Sequence, residues 1–262
     1  MVSFRIQKLG SVSSTNDICS MAASGGDPGG LWLSATEQTQ GRGRTGKQWS
    51  SVKGNLYTSL LLVDPCDIVH AAQISFVAAL AVHETASRMI GKTFPDLALK
   101  WPNDVLLKGA KFSGILLEAK EIPQTRKLAV IIGFGINITA FPQNTPYPVT
   151  SLQQFRADIQ IAEAQKTLME SFLKYLIIWN GGRFSINGPE KREPDFSAIR
   201  RLWLERAWGI GERAVIRLSA EETRSGILKG IDSFGRLELL CDDDRLERIN
   251  AGDLFFKNLQ SE

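Results

Sequence analysis

Hydrophobic positions along the first half of the chain predict a sheet with a helix packed against it. Residues 18, 21 and 22 are apolar at helical spacing, and Ser14 and Asp17 form a capping box ahead of them, so a helix begins there. Short apolar runs bounded by turn residues predict strands. These runs lie at residues 1–10, 31–35, 55–63, 98–101, 105–107, 115–119 and 128–138.

Longer apolar stretches predict three further helices. Residues 68–90 carry Ala, Leu, Val and Ile at three-to-four spacing, but Gln73 and Arg88 interrupt them, which favours a core helix over a membrane span. Residues 162–180 are amphipathic, and residues 196–208 form a shorter helix that ends at Gly209. The first part of the chain therefore combines strands with flanking helices.

The pattern changes after residue 209. Short apolar runs at residues 214–218, 226–231, 237–241 and 245–249 are separated by turn residues, which predicts a small closed β unit. We expect an α+β protein with two domains, residues 1–209 and residues 210–262. The first is predicted to be a mixed β-sheet with flanking helices.

Two glycines interrupt the strand predicted at residues 128–138. Gly133 and Gly135 occupy positions where a side chain would normally pack against a neighbour. A glycine inside a strand indicates either a bulge or a group pressed closely against the backbone.

Composition and charge narrow the function classes. The chain has 262 residues and a formal net charge of +3, too close to neutral to indicate nucleic-acid or membrane binding by charge alone. Cys19, Cys66 and Cys241 are far apart and without ligand spacing, which argues against disulfides and zinc and favours a cytoplasmic setting. The N-terminal segment lacks an apolar signal core, and we expect no export.

The most distinctive segment is a basic, glycine-spaced loop at residues 41–49, defined here as the basic loop. Its glycines are expected to turn the backbone through φ > 0 and to bring N–H groups close to an anion. Arg42, Arg44 and Lys47 add positive charge, and Trp49 offers a flat face to a base. The loop is therefore predicted to hold an anionic, nucleotide-like ligand.

Two other interpretations of the basic loop were considered. Its spacing satisfies G-x-G-x-x-G, but a polar stretch separates it from the preceding strand and no helix follows, so a dinucleotide-binding fold is not indicated. Binding of single-stranded nucleic acid would also use basic side chains and Trp49. No second basic and aromatic patch accompanies the loop, which disfavours that class.

Four polar clusters lie at predicted strand–loop junctions. Activation of an acid by ATP needs cations on the triphosphate, a positive group that bridges the carboxylate and the α-phosphate, and usually an acidic side chain for a metal ion. The clusters supply all three kinds of group. They are Ser14-Thr15-Asn16, Gln38-Thr39, Lys100-Trp101-Pro102-Asn103-Asp104 and Lys111-Phe112-Ser113-Gly114.

With the basic loop and residues 133–137, these clusters resemble the motifs of the biotin protein ligases, in that family's order along the chain. The resemblance spans most of the sequence and is looser over residues 210–262, where it implies a small SH3-like β-barrel. It implies that biotin and MgATP form biotinyl-5′-AMP and pyrophosphate. A lysine of a biotin carboxyl carrier protein then receives the biotin.

The resemblance also implies roles for individual residues. Lys111, Arg44 and Asp104 are expected to be catalytic. No metal ligand is assigned firmly, and Asp104 is the one candidate. The residues expected at biotin are Ser14, Thr15, Asn16, Gln38, Gly41, Arg42, Lys111 and Gly114, and those expected at the nucleotide are Arg44, Trp49, Asn103, Lys111 and Asn137.

Partners follow from the same resemblance. A carrier domain of acetyl-CoA carboxylase or a related carboxylase is expected, with neither nucleic acid nor membrane. The family often pairs through the sheet of the catalytic domain, so a homodimer is consistent with it.

Because the first cluster begins near residue 11, we expect no N-terminal helix-turn-helix. A lipoate or octanoate ligase or transferase is the alternative, disfavoured by Trp49 and the basic loop.

Overall fold

The computed structural model describes residues 4–91, 96–182 and 194–256, which form two sheets and five α-helices. The first three residues of the first predicted domain (1–3) and the last six of the second (257–262) lie outside the described residues. The helices are α1 (Thr15–Ser24), α2 (Ile68–Ala71), α3 (Ile74–Ile90), α4 (Ile161–Trp179) and α5 (Phe196–Leu204).

The first sheet has seven strands, and it is mixed as predicted. The order across it is β1-β2-β3-β7-β6-β5-β4, in which β1 and β2 are parallel and the remaining neighbours are antiparallel. The strands are β1 (Arg5–Val12), β2 (Leu31–Gln38), β3 (Leu56–Val63), β4 (Leu97–Lys100), β5 (Asp104–Leu107), β6 (Ala110–Glu121) and β7 (Leu128–Ile136).

Both faces of this sheet are covered near its centre. Every residue of β3 is buried, with Leu60 and Leu62 in the larger core beneath α3 and α4, and Leu61 and Val63 in a smaller core beneath α1. A strand covered on both faces has no polar side for solvent, which explains why residues 56–63 show no regular alternation of apolar and polar residues. Since α1 is only 10 residues long, it covers only part of the sheet face on which it lies.

The predicted helix at residues 68–90 is interrupted at Ala72 and Gln73, between α2 and α3. The Gln73 side chain accepts a hydrogen bond from Trp179 Nε1 (3.0 Å) and donates one to the Ser233 carbonyl (3.5 Å). By length and composition this stretch could cross a membrane, but most of it is buried within the described structure. The longer part, α3, forms the core helix that the sequence predicted, whereas the prediction of one continuous helix over residues 68–90 is wrong.

The second sheet contains five antiparallel strands in the order β11-β10-β9-β8-β12. They are β8 (Arg213–Arg217), β9 (Thr223–Ile231), β10 (Leu237–Cys241), β11 (Leu246–Ile249) and β12 (Asp253–Phe256). A small β unit after residue 209 is therefore confirmed. The sequence analysis missed β12, which pairs with β8 and brings residues 253–256 beside the first sheet.

Candidate active site

A cavity of about 540 Å³ lies where the open part of the first sheet meets the second sheet. Its walls come from the start of α1, the basic loop, β4 to β7 and the strands β8 and β12. Of the residues predicted at biotin, at the nucleotide or in catalysis, all but Gly41 and Asn137 line it. The polar clusters that are dispersed in the sequence are therefore gathered at one place.

Hydrogen bonds tie the start of α1 to β2. The Ser14 hydroxyl accepts from the Asp17 N–H (3.4 Å), which makes Ser14 the helix N-cap, as predicted. The backbone N–H and the hydroxyl of Thr15 both donate to Gln38 Oε1, at 2.9 and 3.0 Å. Gln38 Nε2 in turn donates to the Ser51 hydroxyl (3.1 Å). The two segments therefore present a connected polar wall to the cavity.

Two side chains that the sequence analysis missed extend this polar wall. The Ser59 hydroxyl donates to Asn16 Oδ1 (2.6 Å) and lies 2.7 Å from Thr15 Oγ1. Asn16 Nδ2 donates to Glu118 Oε2 at 2.6 Å. For Ser59 the signal was a hydroxyl on the fully buried strand β3, because a buried polar group needs a partner. Glu118 is partly exposed on β6, and no local pattern marked it.

Carboxylates hold Arg42. Its guanidinium donates to both oxygens of Asp17, at 2.8 and 2.6 Å, and to Glu118 at 3.4 Å. These contacts fix the side chain over the start of α1. Its positive charge is thus largely balanced by neighbours in the protein.

The basic loop is a small hairpin, and the prediction that all its glycines turn through φ > 0 is wrong. Only Gly46 does so (φ +74°), beside Thr45 (φ +54°), and Gly41 and Gly43 lie outside that region. Gly41 is required for space instead, since a Cβ there would lie 2.6 Å from Ser51 Oγ. Gly41 thus supports the loop from outside the cavity lining.

Contacts with the second sheet anchor the basic loop. Arg44 donates to the Gly252 carbonyl (3.3 Å), and the ammonium of Lys47 forms an ion pair with the carboxylate of Asp253. Burial lowers the pKa of Arg44, and the nearby Asp253 charge opposes that effect. The second sheet therefore takes part in shaping the cavity.

The indole of Trp49 lies on a pair of glycines. Gly114 of β6 and Gly135 of β7 are direct register partners, and the ladder continues without a shift through this region. A Cβ at Gly114 would lie 2.8 Å from the Trp49 ring, and one at Gly135 would lie 2.5 Å from it. Gly133 makes room for Asn16 in the same way. The strand glycines therefore permit close approach and do not form a bulge.

Lys111 is the central cation of the cavity. Its ammonium lies 2.7 Å from Asp104 Oδ1, and 5.3 and 5.6 Å from the ring centroids of Trp49 and Tyr147. Burial lowers the pKa of Lys111, but the Asp104 carboxylate more than offsets this, so that the pKa is raised. The side chain therefore stays protonated while it faces the cavity.

The two predicted asparagines occupy different positions. Asn103 lines the cavity, although its side-chain amide donates to the Ile115 carbonyl (2.6 Å). Asn137 is buried behind β7, where its amide donates to the Thr150 carbonyl (3.1 Å). Its place outside the cavity lining does not favour the predicted contact with the nucleotide.

Comparison with protein families gives two matches in this chain. The biotin/lipoate A/B protein ligase family matches residues 10–137. The biotin protein ligase C terminal domain matches residues 209–257.

Individual relatives agree with these matches over nearly the whole chain. The biotin--[acetyl-CoA-carboxylase] ligase of Paracoccus denitrificans is 35% identical over 235 residues, which is 87% of this chain and 91% of that protein. The enzyme of the same description from Mycobacterium tuberculosis is 30% identical over 260 residues, covering 95% of this chain and 88% of that protein.

Solved structures show the same architecture. The biotin protein ligase from Aquifex aeolicus in complex with biotin and ATP superposes with a TM-score of 0.75 at 26% identity. The superposition covers 95% of this chain and 97% of that one. The similarity therefore includes the second sheet as well as the first.

Proposed function

This chain belongs to the biotin protein ligases of the biotin/lipoate A/B protein ligase family, and from that premise we propose how its cavity activates and transfers biotin. The enzyme is a biotin ligase that binds biotin and ATP. The comparisons support this activity over lipoate ligation, the alternative that the sequence left open.

One observation carries the proposed placement of the substrates: the largely buried Lys111 ammonium, paired with Asp104, lines the same cavity as the polar wall at the start of α1. The polar head of biotin would bind at Ser14, Thr15, Asn16 and Gln38, whose hydroxyl and amide groups suit a cyclic urea. The apolar chain would then run along the edge of the Trp49 ring toward Lys111. Adenine would stack on Trp49, whose ring is held flat by the glycine pair.

The first chemical step joins the two substrates. A carboxylate oxygen of biotin forms a bond to the α-phosphorus of ATP, and the bond from that phosphorus to the bridging oxygen of the β-phosphate breaks. Pyrophosphate leaves with the bonding electron pair. Lys111 would bind the carboxylate and an α-phosphate oxygen together, which stabilises the charge that develops between them.

The second step needs protection from water. Biotinyl-5′-AMP is a mixed anhydride, and water would hydrolyse it before a protein lysine could attack. The basic loop, with Arg42 held by carboxylates and Arg44 by the second sheet, would cover it. The amine of the carrier lysine then attacks the acyl carbon, AMP leaves, and the amine gives up a proton, for which Asp104 is the proposed acceptor.

A magnesium ion forms part of the proposal. Within the described residues no group of three or more His, Cys, Asp or Glu side chains could enclose a metal. The cavity still fits Mg²⁺, because this ion is commonly bound by one or two carboxylates together with substrate phosphates, and Asp104 lines the cavity. When bound, it would neutralise charge on the triphosphate.

The biological setting completes the proposal. The names of the relatives favour the biotin carrier of acetyl-CoA carboxylase as the protein substrate, and a bacterial ligase of this kind would act in the cytoplasm. Residues 1–209 and 210–262 are proposed as the two domains. The exposed edge strand β1 would suit a homodimer, which light scattering at several concentrations would test.

A biotin-dependent exchange of pyrophosphate into ATP tests the proposed function. The parent protein should catalyse exchange, and Lys111→Ala should lose it almost completely while retaining the parent unfolding curve. Mass spectrometry of a carrier domain incubated with ATP and either biotin or lipoate should show only the biotin adduct. A lipoyl adduct, or exchange that does not need biotin, would contradict the proposal.

A further inference from the structure

Glu118 joins two parts of the cavity wall without lining the cavity itself. It lies on β6, where its Oε2 accepts a hydrogen bond from Asn16 Nδ2 (2.6 Å) and its Oε1 accepts one from the Arg42 guanidinium (3.4 Å). Among the residues that the structure describes, Asn16 and Arg42 belong to the cavity lining and Glu118 does not. A role of Glu118 in ligand binding would therefore act through one of these two side chains.

The contacts of the Asn16 amide fix its orientation. A carboxylate accepts hydrogen bonds and donates none, so the atom of Asn16 that faces Glu118 must be the amide nitrogen. The other atom of the amide, Oδ1, accepts a hydrogen bond from the Ser59 hydroxyl at 2.6 Å. Because Asn16 is only 4% exposed, a reversed amide would bring two acceptors together in a buried position, which is unfavourable.

This orientation determines what Asn16 offers to a ligand. One N–H of its amide goes to Glu118, and Oδ1 is covered by the Ser59 hydroxyl and by Gly133, where a side chain would overlap with Oδ1. The second N–H is the group left for the cavity. Ser14 is similar, because its hydroxyl oxygen already accepts from the backbone of α1 and its proton remains to be donated. The start of α1 therefore presents hydrogen-bond donors.

A cyclic urea has one acceptor, its carbonyl oxygen, between two N–H donors. We propose that Glu118 is a positioning residue for biotin: it holds the Asn16 amide so that Asn16 donates a hydrogen bond to the urea carbonyl oxygen. This inference rests on the proposed function, which places the urea at the start of α1. Glu118 itself contacts neither substrate, so its loss should weaken the binding of biotin and leave the binding of ATP unchanged.

Calorimetry and infrared spectroscopy of Glu118→Gln test this role. Glutamine has the same shape but can present either an oxygen or an N–H to Asn16, so the Asn16 amide is no longer fixed. The dissociation constant for biotin should rise about tenfold, as expected for one misplaced hydrogen bond, while the KM for ATP at saturating biotin stays at the parent value. With biotin labelled with carbon-13 at the urea carbonyl, the carbonyl band of the bound ligand should lie at lower frequency in the parent than in the variant, because an accepted hydrogen bond weakens the C=O bond.

Matched variants distinguish Asn16 from Arg42 as the route of the effect. Asp17→Asn changes the carboxylate that makes the two shorter contacts with Arg42, at 2.6 and 2.8 Å, and keeps the contact between Asn16 and Glu118, so the urea band should keep the parent frequency. In an Asn16→Ala background, Glu118→Gln should cause no further loss of biotin affinity, because losses add only for independent residues. Glu121→Gln, which changes an exposed carboxylate on the same strand, should match the parent in every measurement.

Two results would overturn the inference. One is a urea band in Glu118→Gln at the parent frequency. The other is a full additional loss of affinity when Glu118→Gln is combined with Asn16→Ala, because Glu118 would then act by another route. Glu118 is 41% exposed, so its variants should fold; if Glu118→Gln does not, Glu118→Asp, whose shorter side chain withdraws the carboxylate from Asn16, carries the test. Parent affinity for biotin in Asn16→Ala alone would instead contradict the placement of biotin in the proposed function.

Discussion

Gly114 and Gly135 face each other across the β6–β7 ladder, and the indole of Trp49 lies on both. This contact places the Trp49 ring beside Lys111, whose ammonium nitrogen lies 5.3 Å from the ring centroid. Because the indole belongs to the basic loop, the glycine pair also sets the height of that loop above the sheet. Side-chain volume at these two positions should therefore control the cavity without changing the fold.

Gly135→Ala should displace Trp49. The new Cβ would lie 2.5 Å from ring atoms of Trp49, and the basic loop, which is held by partly exposed contacts, can shift where the sheet cannot. We expect the rate of biotin-dependent pyrophosphate exchange to fall at least tenfold, with a change in unfolding free energy of about 1 kcal/mol or less. Gly10→Ala is the matched control, since nothing lies within 4 Å of a Cβ there. Exchange by Gly135→Ala at the control rate would contradict this role for the glycine pair.

Asp104→Asn should change the pH dependence of the reaction. In the parent, Asp104 raises the pKa of Lys111 above its ordinary value, so the ammonium persists until the pH exceeds that raised pKa. Without the carboxylate, burial dominates and lowers the pKa. Exchange by the variant should therefore decline with rising pH at values where the parent is still constant.

The measurement is the shape of the pH–rate profile between about pH 7 and pH 10, because Asp104 has other proposed roles that lower the absolute rate. Asp242→Asn, which removes an exposed carboxylate paired with Arg213 on the second sheet, should keep the parent profile. Parallel profiles for Asp104→Asn and the parent would show that Asp104 does not govern the charge of Lys111.

The motifs of the site were predictable because their residue types are unusual in their local setting. Strand glycines at 133 and 135, a helix-capping Ser14 and a basic loop that ends in Trp49 each conflict with ordinary strand or loop composition. The structure assigns each a physical role, although for the glycines that role is close contact with Trp49 and Asn16. Local patterns therefore marked the basic loop and the strand glycines, whereas the roles of residues at biotin and at the nucleotide came from the resemblance to the biotin protein ligases.

Long-range contacts were not predictable in the same way. Nothing in the local pattern of residues 213–256 indicates that Arg217, Asp253 and Phe255 line the cavity, because their position depends on how the two sheets pack together. The strand that carries Asp253 and Phe255 was itself missed. Arg42 was predicted to lie at biotin, and only the folded chain shows that Asp17 and Glu118 balance its charge.

Asp253→Asn should loosen the basic loop with little effect on global stability. The ion pair between Lys47 and Asp253 is largely exposed, and such pairs contribute about 0–1 kcal/mol. Among the hydrogen bonds and ion pairs of the described residues, the Arg44 contact with Gly252 would then remain to hold the loop against the second sheet. Amide hydrogen exchange in residues 41–49 should accelerate several-fold while the unfolding midpoint stays constant. Asp242→Asn should leave loop exchange unchanged, and equal exchange in the two variants would contradict the anchoring role of Asp253.

His83 should make the protein less stable in mild acid. Burial and, secondarily, the positive charge of Arg206 lower the pKa of His83 to about 4, from the ordinary value of 6.5. As the pH falls below 6.5, the unfolded chain binds a proton at this position while the folded chain does not, so stability is lost across the window from 6.5 down to 4. At pH 5 the loss should be about 2 kcal/mol. This loss is measured by denaturant unfolding of the parent and of His83→Gln at pH 7 and at pH 5. For each protein, the unfolding free energy at pH 5 is compared with its own value at pH 7. The parent should lose about 2 kcal/mol more than the variant on acidification, and equal losses would mean that His83 accepts a proton in the folded state.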